Sequence, residues 1–354
     1  MLAALLISLI PVQQADVALR PRAIVAEDGR LVEGKVVVVR GEQIHALMDA
    51  PPAGARIVDL DGVLAPGMVD AFSRAGAAGR IGEDAHALAP GLRAADGADL
   101  DQKNWEDLAA RGVTTVHLVP EPSNVLAGFG ALLATEGLKR QVAETTVQVV
   151  SLTGWTYDER VGPTALAGCL ELLEQGLADA GPAATRAGLL VFVENAEGIR
   201  GARALFERAG ISQRHFVLFG DPGTYAGEAA GELVCLPAIG AGGARAREAE
   251  VLERLHAAGT RVAYGTLNGE GGHDALRHAA MLHARATGDP GAAWAAVTRN
   301  AAEVLGLGDR IGHIAAGARA DLVLWTGHPL DAAARVQAVM IGGQTVFAAA
   351  PQER

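Results

Sequence analysis

The sequence predicts an α/β protein: a TIM-like (β/α)8 barrel with a small β-sandwich domain built from the N- and C-terminal segments. Three observations predict it. The middle of the chain alternates short apolar runs with amphipathic ones, and eight of the apolar runs have the length of strands. Both ends instead carry short β-branched segments separated by tight Gly turns. No glycine-rich phosphate loop follows the first strand of the middle region at the spacing of a doubly wound sheet, which disfavours that competing fold.

Bulk properties narrow the class. The chain has 354 residues, 50% hydrophobic and 20% charged, enough for a large core in one big domain with an appendage or in two domains. A net charge of −11 argues against nucleic acid or an anionic membrane as partner, because both select basic surfaces. The two cysteines, Cys169 and Cys235, sit inside apolar runs and read as buried free thiols, not as a disulfide or zinc framework.

Residues 1–15, "MLAALLISLIPVQQA", hold an apolar run from Leu2 to Val12 that is too short to span a bilayer. No Lys or Arg precedes the run as a signal peptide's basic start would require, and a mis-assigned start or a first buried strand is the plainer account. The run still reads as a signal peptide cleaved near Ala15. The expected location is therefore exported, periplasmic or extracellular, with the cytoplasm as the alternative. Residues 16–64 form a β-meander, "VALRPRAIV", "KVVVV" and "IHALM", the first part of the sandwich. Residues 65–307 form the barrel, with candidate strands "GMVDAF", "TTVHLV", "ALLAT", "VQVVSL", "LLVFVE", "HFVLFG", "ELVCLP" and "RVAYGT". Amphipathic runs over Ala165–Ala178, Gly198–Ala209 and Ala246–Ala258 supply helices, although none separates the second strand from the third. Residues 308–354, with "ADLVLW" and a hairpin at Gly342-Gly343, complete the sandwich.

At this level the sequence resembles the amidohydrolase superfamily. "GVLAPGMVDAF" is similar to the entry into that family's barrel, where the first strand ends in Asp-x-His-x-His. "RGVTTVHLVPEPSNVLAGFGALLAT" resembles the imidazolonepropionase-like branch, and "GEQIHAL" with "TRNAAEVLGLGDRIGHIAAGARADLVLWTGHPL", Thr298 to Leu330, resembles the family's return into its β-sandwich. The resemblance implies hydrolysis of C–N bonds, including cyclic amides, by zinc or another divalent metal at the C-terminal mouth of the barrel. Such an ion lowers the pKa of its bound water to near 7 and supplies hydroxide.

The positions implied for the ligands hold other residues. Phe72 and Arg74 replace the His-x-His pair, Ala134 falls at the lysine position, Glu194 and Phe219 at the histidines of the fifth and sixth strands, and Leu267 at the aspartate. Phe72, Phe219 and Leu267 offer no lone pair, and Arg74 is a permanent cation. No His-x-His occurs anywhere in the chain, so shifting the alignment restores nothing. The expectation is a catalytically degenerate barrel without a metal cofactor, leaning non-catalytic. It would bind a small molecule at the mouth, as a homo-oligomer or as a hetero-oligomer with an active homologue. The alternative is a hydrolase of non-peptide C–N bonds with a reorganised site built from Glu194, Arg74, His273 or Asp274. Arg74 and Glu194 are expected to form a salt bridge in the space of the metal, since a buried unpaired charge is costly.

Further candidates stand beside ordinary structural explanations. Ser73 adjoins the old site but has no evident His-Asp pair to activate it. Asn124 and Gly128 lie on a glycine-rich loop, and Tyr157 and Arg160 on "GWTYDERVGP", which should overhang the mouth. His273 and Asp274 are expected nearest to the mouth among the residues after the eighth strand, with a helix cap and solvated histidines as the plainer account. His117 reads as a core histidine.

Overall fold

The computed structural model describes residues 16–102, 104–135, 143–181, 188–238, 245–267 and 272–350. Residues 1–15, on which the export expectation rests, lie outside this set, as do Asn268 and Glu270. Among the described residues, no helix is long and apolar enough to cross a membrane.

Five strands precede the barrel: β1 (Val17–Val25), β2 (Leu31–Glu33), β3 (Val36–Arg40), β4 (Gln43–Met48) and β5 (Arg56–Pro66). The barrel strands are β6 (Met68–Ser73), β7 (Val113–Leu118), β8 (Leu126–Ala134), β9 (Ala143–Leu152), β10 (Leu189–Val193), β11 (Arg214–Leu218), β12 (Leu233–Pro237) and β13 (Arg261–Gly265). Three more follow: β14 (Leu322–Trp325), β15 (Val336–Ile341) and β16 (Gln344–Ala348). Around them lie α1 (Asn104–Ala110), α2 (Leu166–Ala180), α3 (Ala196–Ala209), α4 (Arg245–Ala257), α5 (Ala275–Thr287), α6 (Pro290–Ala296) and α7 (Arg299–Val304).

The terminal strands form one continuous sheet in the order β16-β15-β14-β5-β1-β3-β4, with β2 added to β1. It rolls so that its two halves face each other across Leu19, Val37, Ile44, Leu64, Leu322 and Leu324. The two layers of the expected sandwich are thus halves of one sheet. Residues 317–320 link its ends, since Ile44 donates to the Ala318 carbonyl and Gly343 to that of Ala320.

The second sheet runs β13-β12-β11-β10-β9-β8-β7-β6 and is a nearly closed barrel containing all eight expected strands. Its strands are buried on both faces, so they read as continuous apolar runs. In β10, Leu190 and Phe192 face the barrel interior while Leu189, Val191 and Val193 face the helices. Where the seam closes, Leu267 donates to the Phe72 carbonyl (3.1 Å). Gly265 allows this, because a Cβ there would lie 2.4 Å from the Phe72 ring.

One expectation fails. The barrel is not wholly parallel: β8 pairs antiparallel with both β7 and β9. Residues 119–125 are too few for the helical crossover that a parallel return requires. The outer face of β8 is covered instead by the segment between β6 and α1. Ala89 donates to Leu126 (2.7 Å) and Phe129 to Leu92 (2.8 Å). Gly128 has φ +98°, and a Cβ there would lie 2.3 Å from the Leu92 carbonyl oxygen. The glycine therefore answers to a passing chain.

The helices follow from periodicity and caps. In α3, Ile199, Ala202, Leu205 and Phe206 form the buried stripe. Asn195 accepts from Gly198 at its start, and Gly210, in the left-handed region, ends it. At the barrel floor, α7 sends Ala301, Ala302 and Val304 into the interior cluster. These contacts leave the opposite end as the mouth.

Candidate functional site at the barrel mouth

Four aromatic rings rise through the mouth. Phe72 meets Phe192 edge-on with centroids 5.8 Å apart, Phe192 stacks on Phe219 at 5.6 Å, and Phe219 meets Trp155 edge-on at 4.9 Å. Phe72 and Phe192 are fully buried, whereas Trp155 is 50% exposed. The rings come from four different strand ends, and the barrel's parity aims them at a common axis. Leu267, also buried, joins the same interior cluster.

The charged groups of the mouth pair differently from the expectation. Arg74 does not reach Glu194. Its guanidinium binds Glu121, just beyond β7, at 2.5 Å and donates to the Gly79 carbonyl at 3.0 Å. The other Glu121 oxygen accepts from the Ile81 amide (2.9 Å). Strand adjacency explains the difference. β7 is the neighbour of β6, while β10 lies across a barrel filled by Phe72 and Phe192. Glu194 accepts from the Gly154 amide (3.0 Å), on the loop that carries Trp155.

Beneath Arg74, a hydrogen-bonded chain stitches the β6–β13 seam. Thr266 donates its amide to Asp70 Oδ1 (3.0 Å) and its hydroxyl to Asp70 Oδ2 (2.5 Å), and the Ser73 hydroxyl lies 3.0 Å from that of Thr266. Ser73 also accepts from Ala75. Burial raises the Asp70 pKa to about 6, against the lowering effect of these hydrogen bonds. His117 is fully buried, with Nδ1 2.8 Å from the Ala71 carbonyl, and burial lowers its pKa to about 4. No imidazole contacts Ser73 among the described residues, and the hydroxyl serves the seam.

The other sequence candidates scatter. Ala134 pairs with Thr115 near the start of β7, at the floor, because β8 runs antiparallel; the position is not at the mouth. Asn124 is buried and donates to the carbonyls of Glu83 and His86, holding the covering segment in place. Tyr157 is 39% exposed at the mouth, and Arg160 is bound to Asp158 (2.7 Å). Asp274 does not reach the mouth; it stands at the N-cap position of α5, but its side chain caps no amide there. It pairs with Arg111 (2.9 Å), which precedes β7 at the floor end, and His273 is exposed beside it. Among the described residues, no three His, Cys, Asp or Glu side chains converge. Sequence reasoning missed Glu121, Asp70 and Thr266. Their signal was position alone, since each lies at or near the end of β6, β7 or β13.

A barrel of this topology beside a β-rich domain made from both termini defines the amidohydrolase-like class of folds. Residues 230–346 match the amidohydrolase family, so the sequence of that segment and the fold of the whole agree. A 5-methylthioadenosine/S-adenosylhomocysteine deaminase of Desulforudis audaxviator is 43% identical over 82 residues, 20% of this chain and 19% of that protein. The match thus spans about a fifth of that relative's length. Among solved structures, an amidohydrolase from Thermotoga maritima MSB8 covers 94% of this chain and 100% of its own, with TM-score 0.79 and 21% identity. Phenylurea hydrolase B covers 94% and 97% (TM-score 0.60, 15% identity), and a Xaa-Pro dipeptidase with methionine bound in its active site covers 95% and 100% (TM-score 0.56, 14% identity). At these identities the likeness concerns the fold.

Proposed function

We propose that this protein is a degenerate amidohydrolase of the imidazolonepropionase-like branch, a metal-independent barrel that binds a small molecule at its mouth. It acts as a homo-oligomer or as a subunit beside an active homologue. The observation that carries this reading is that the implied ligand positions are built into other structure. Phe72 and Phe219 belong to the aromatic column, Leu267 to the interior cluster, and Arg74 to an ion pair with Glu121. A divalent ion does not fit this set. One carboxylate, Glu194, is the remaining donor among those positions, and a single carboxylate does not make a tight transition-metal site. The branch rests on the sequence resemblance of the threonine-rich β7 strand and of the glycine-bearing segment after it, which here forms the start of β8. Export rests on the apolar run Leu2–Val12 and is checked by N-terminal sequencing of the protein recovered from cells.

The test is the metal content of protein purified without chelators, measured by mass spectrometry beside Glu194→Ala. Less than about a tenth of an equivalent of any divalent ion, unchanged in the variant, is expected. Close to one equivalent, lost in the variant, would mean that Glu194 anchors a rebuilt site, and the alternative hydrolase reading would replace this one.

A further inference from the structure

We infer that the mouth binds a small organic cation, an alkylated ammonium or guanidinium group seated on Trp155 and countered by Glu194. This rests on the reading above, a mouth without a metal. Three observations support it. First, large aromatic surface is left in solvent: Trp155 is 50% exposed and Tyr157 39%, although Phe219, Phe192 and Phe72 continue the column to full burial. An indole packed against another ring is held in place, and exposed aromatic surface attracts cations through its π system.

Second, two carboxylates on this side, Glu194 and Asp221, lack a cationic partner among the described residues, whereas Arg74 is matched by Glu121 and Arg160 by Asp158. The whole chain carries −11, so the far field has the same sign. Third, the carboxylate and the rings are neighbours by construction. Glu194 accepts from Gly154, the residue before Trp155, and Phe219 donates its amide to Val193, the residue before Glu194. The Tyr157 hydroxyl feels that carboxylate: its pKa is raised by burial first, then by Cys169 and Glu194. An anionic ligand would meet repulsion here, and a neutral aromatic one would stack while leaving Glu194 unmatched.

Trp155 also reports on the site. Trp105, Trp294 and Trp325 are all at most 3% exposed, so a ligand at the mouth perturbs the fluorescence of Trp155. The experiment titrates the full chain with choline, with methylguanidinium and with 3,3-dimethylbutan-1-ol, the neutral isostere of choline, at constant ionic strength. The metal content of the same sample is measured. A saturable response to at least one cation is expected, at least tenfold tighter than to the alcohol and weakened at least tenfold in Glu194→Gln. That variant keeps the size and shape of the side chain, and its melting temperature checks the fold. Equal responses to choline and the alcohol, no saturable response to either cation, or an unweakened Glu194→Gln each overturn the inference. If the protein is metal-free, the degenerate-barrel reading still stands; a full equivalent of metal overturns both.

Discussion

The two sides of the barrel mouth are built in opposite ways. On the β6–β7 side the groups at the strand ends are partnered and largely covered: Arg74 lies against Glu121, Glu121 against the Ile81 amide, and Asp70 against Thr266. On the β10–β11 side Trp155 and Tyr157 stay exposed, and Glu194 is half-buried and held by one described hydrogen bond. The first side is where the family resemblance places the His-x-His pair. An ion pair and a buried phenyl ring occupy it, while the second side remains accessible. A scaffold can lose one function on one wall and retain a recognition surface on the other, because the strand ends are independent and loops vary without disturbing the barrel.

The largest expected effect concerns the column that joins the two sides. Phe192 is fully buried and touches both Phe72 and Phe219. Phe192→Ala removes a ring from a packed interior and should cost about 3–5 kcal/mol in denaturant unfolding. A loss under about 1 kcal/mol would mean that the rings contribute little packing and that the two sides are not mechanically joined.

Next in size is the ion pair. The Arg74 and Glu121 side chains are only 24% and 15% exposed, so truncating one strands the other charge. Arg74→Met or Glu121→Gln alone should cost roughly 1–3 kcal/mol, and the double variant clearly less than their sum. Glu194→Gln, on the open side, should stay within about 0.5 kcal/mol of the wild type. If Glu194→Gln destabilised as much as Glu121→Gln, the contrast between a closed wall and an open one would collapse.

Much of this fold is legible in sequence, because strands buried on both faces leave apolar runs such as "LLVFV" and because Asn195 and Gly210 punctuate α3. The direction of β8 was also within reach, since the link from β7 is too short for a crossover helix. The pairing of Arg74 was harder. Aligning to a metal site draws attention to positions that share a metal, and Arg74 and Glu194 share one. A side chain, however, finds its partner on the neighbouring strand, and that criterion selects Glu121. Asp274 failed for a similar reason. It follows β13 in sequence, yet chain proximity to the mouth does not fix where the next helix begins, and Arg111 holds it at the floor end. The exposure of Trp155 is not encoded locally, because the same Trp-Tyr pair could have been a buried lid.

The smallest and most specific effect is a pH slope on the closed side. Burial raises Asp70 to about 6, so its protonated form is favoured in the fold; relative to an ordinary carboxyl, its contribution is full below about pH 4 and is lost as pH rises through about 6. Burial lowers His117 and His283 to about 4, so their contributions run the other way and grow as pH rises from about 4 to 6.5. His215, also lowered by burial, acts in the same direction, so between those limits three imidazoles oppose one acid and stability rises with pH. Asp70→Asn removes the opposing group while its amide can still accept from the Thr266 amide and donate to the hydroxyl. Its stability should therefore rise more steeply than the wild type's between pH 4.5 and 6, by about 1 kcal/mol per pH unit. Chemical denaturation at five or six pH values measures both slopes. Parallel lines for the two proteins would mean that Asp70 titrates like a solvated carboxyl and that the seam between β6 and β13 is wetter than its hydrogen bonds imply.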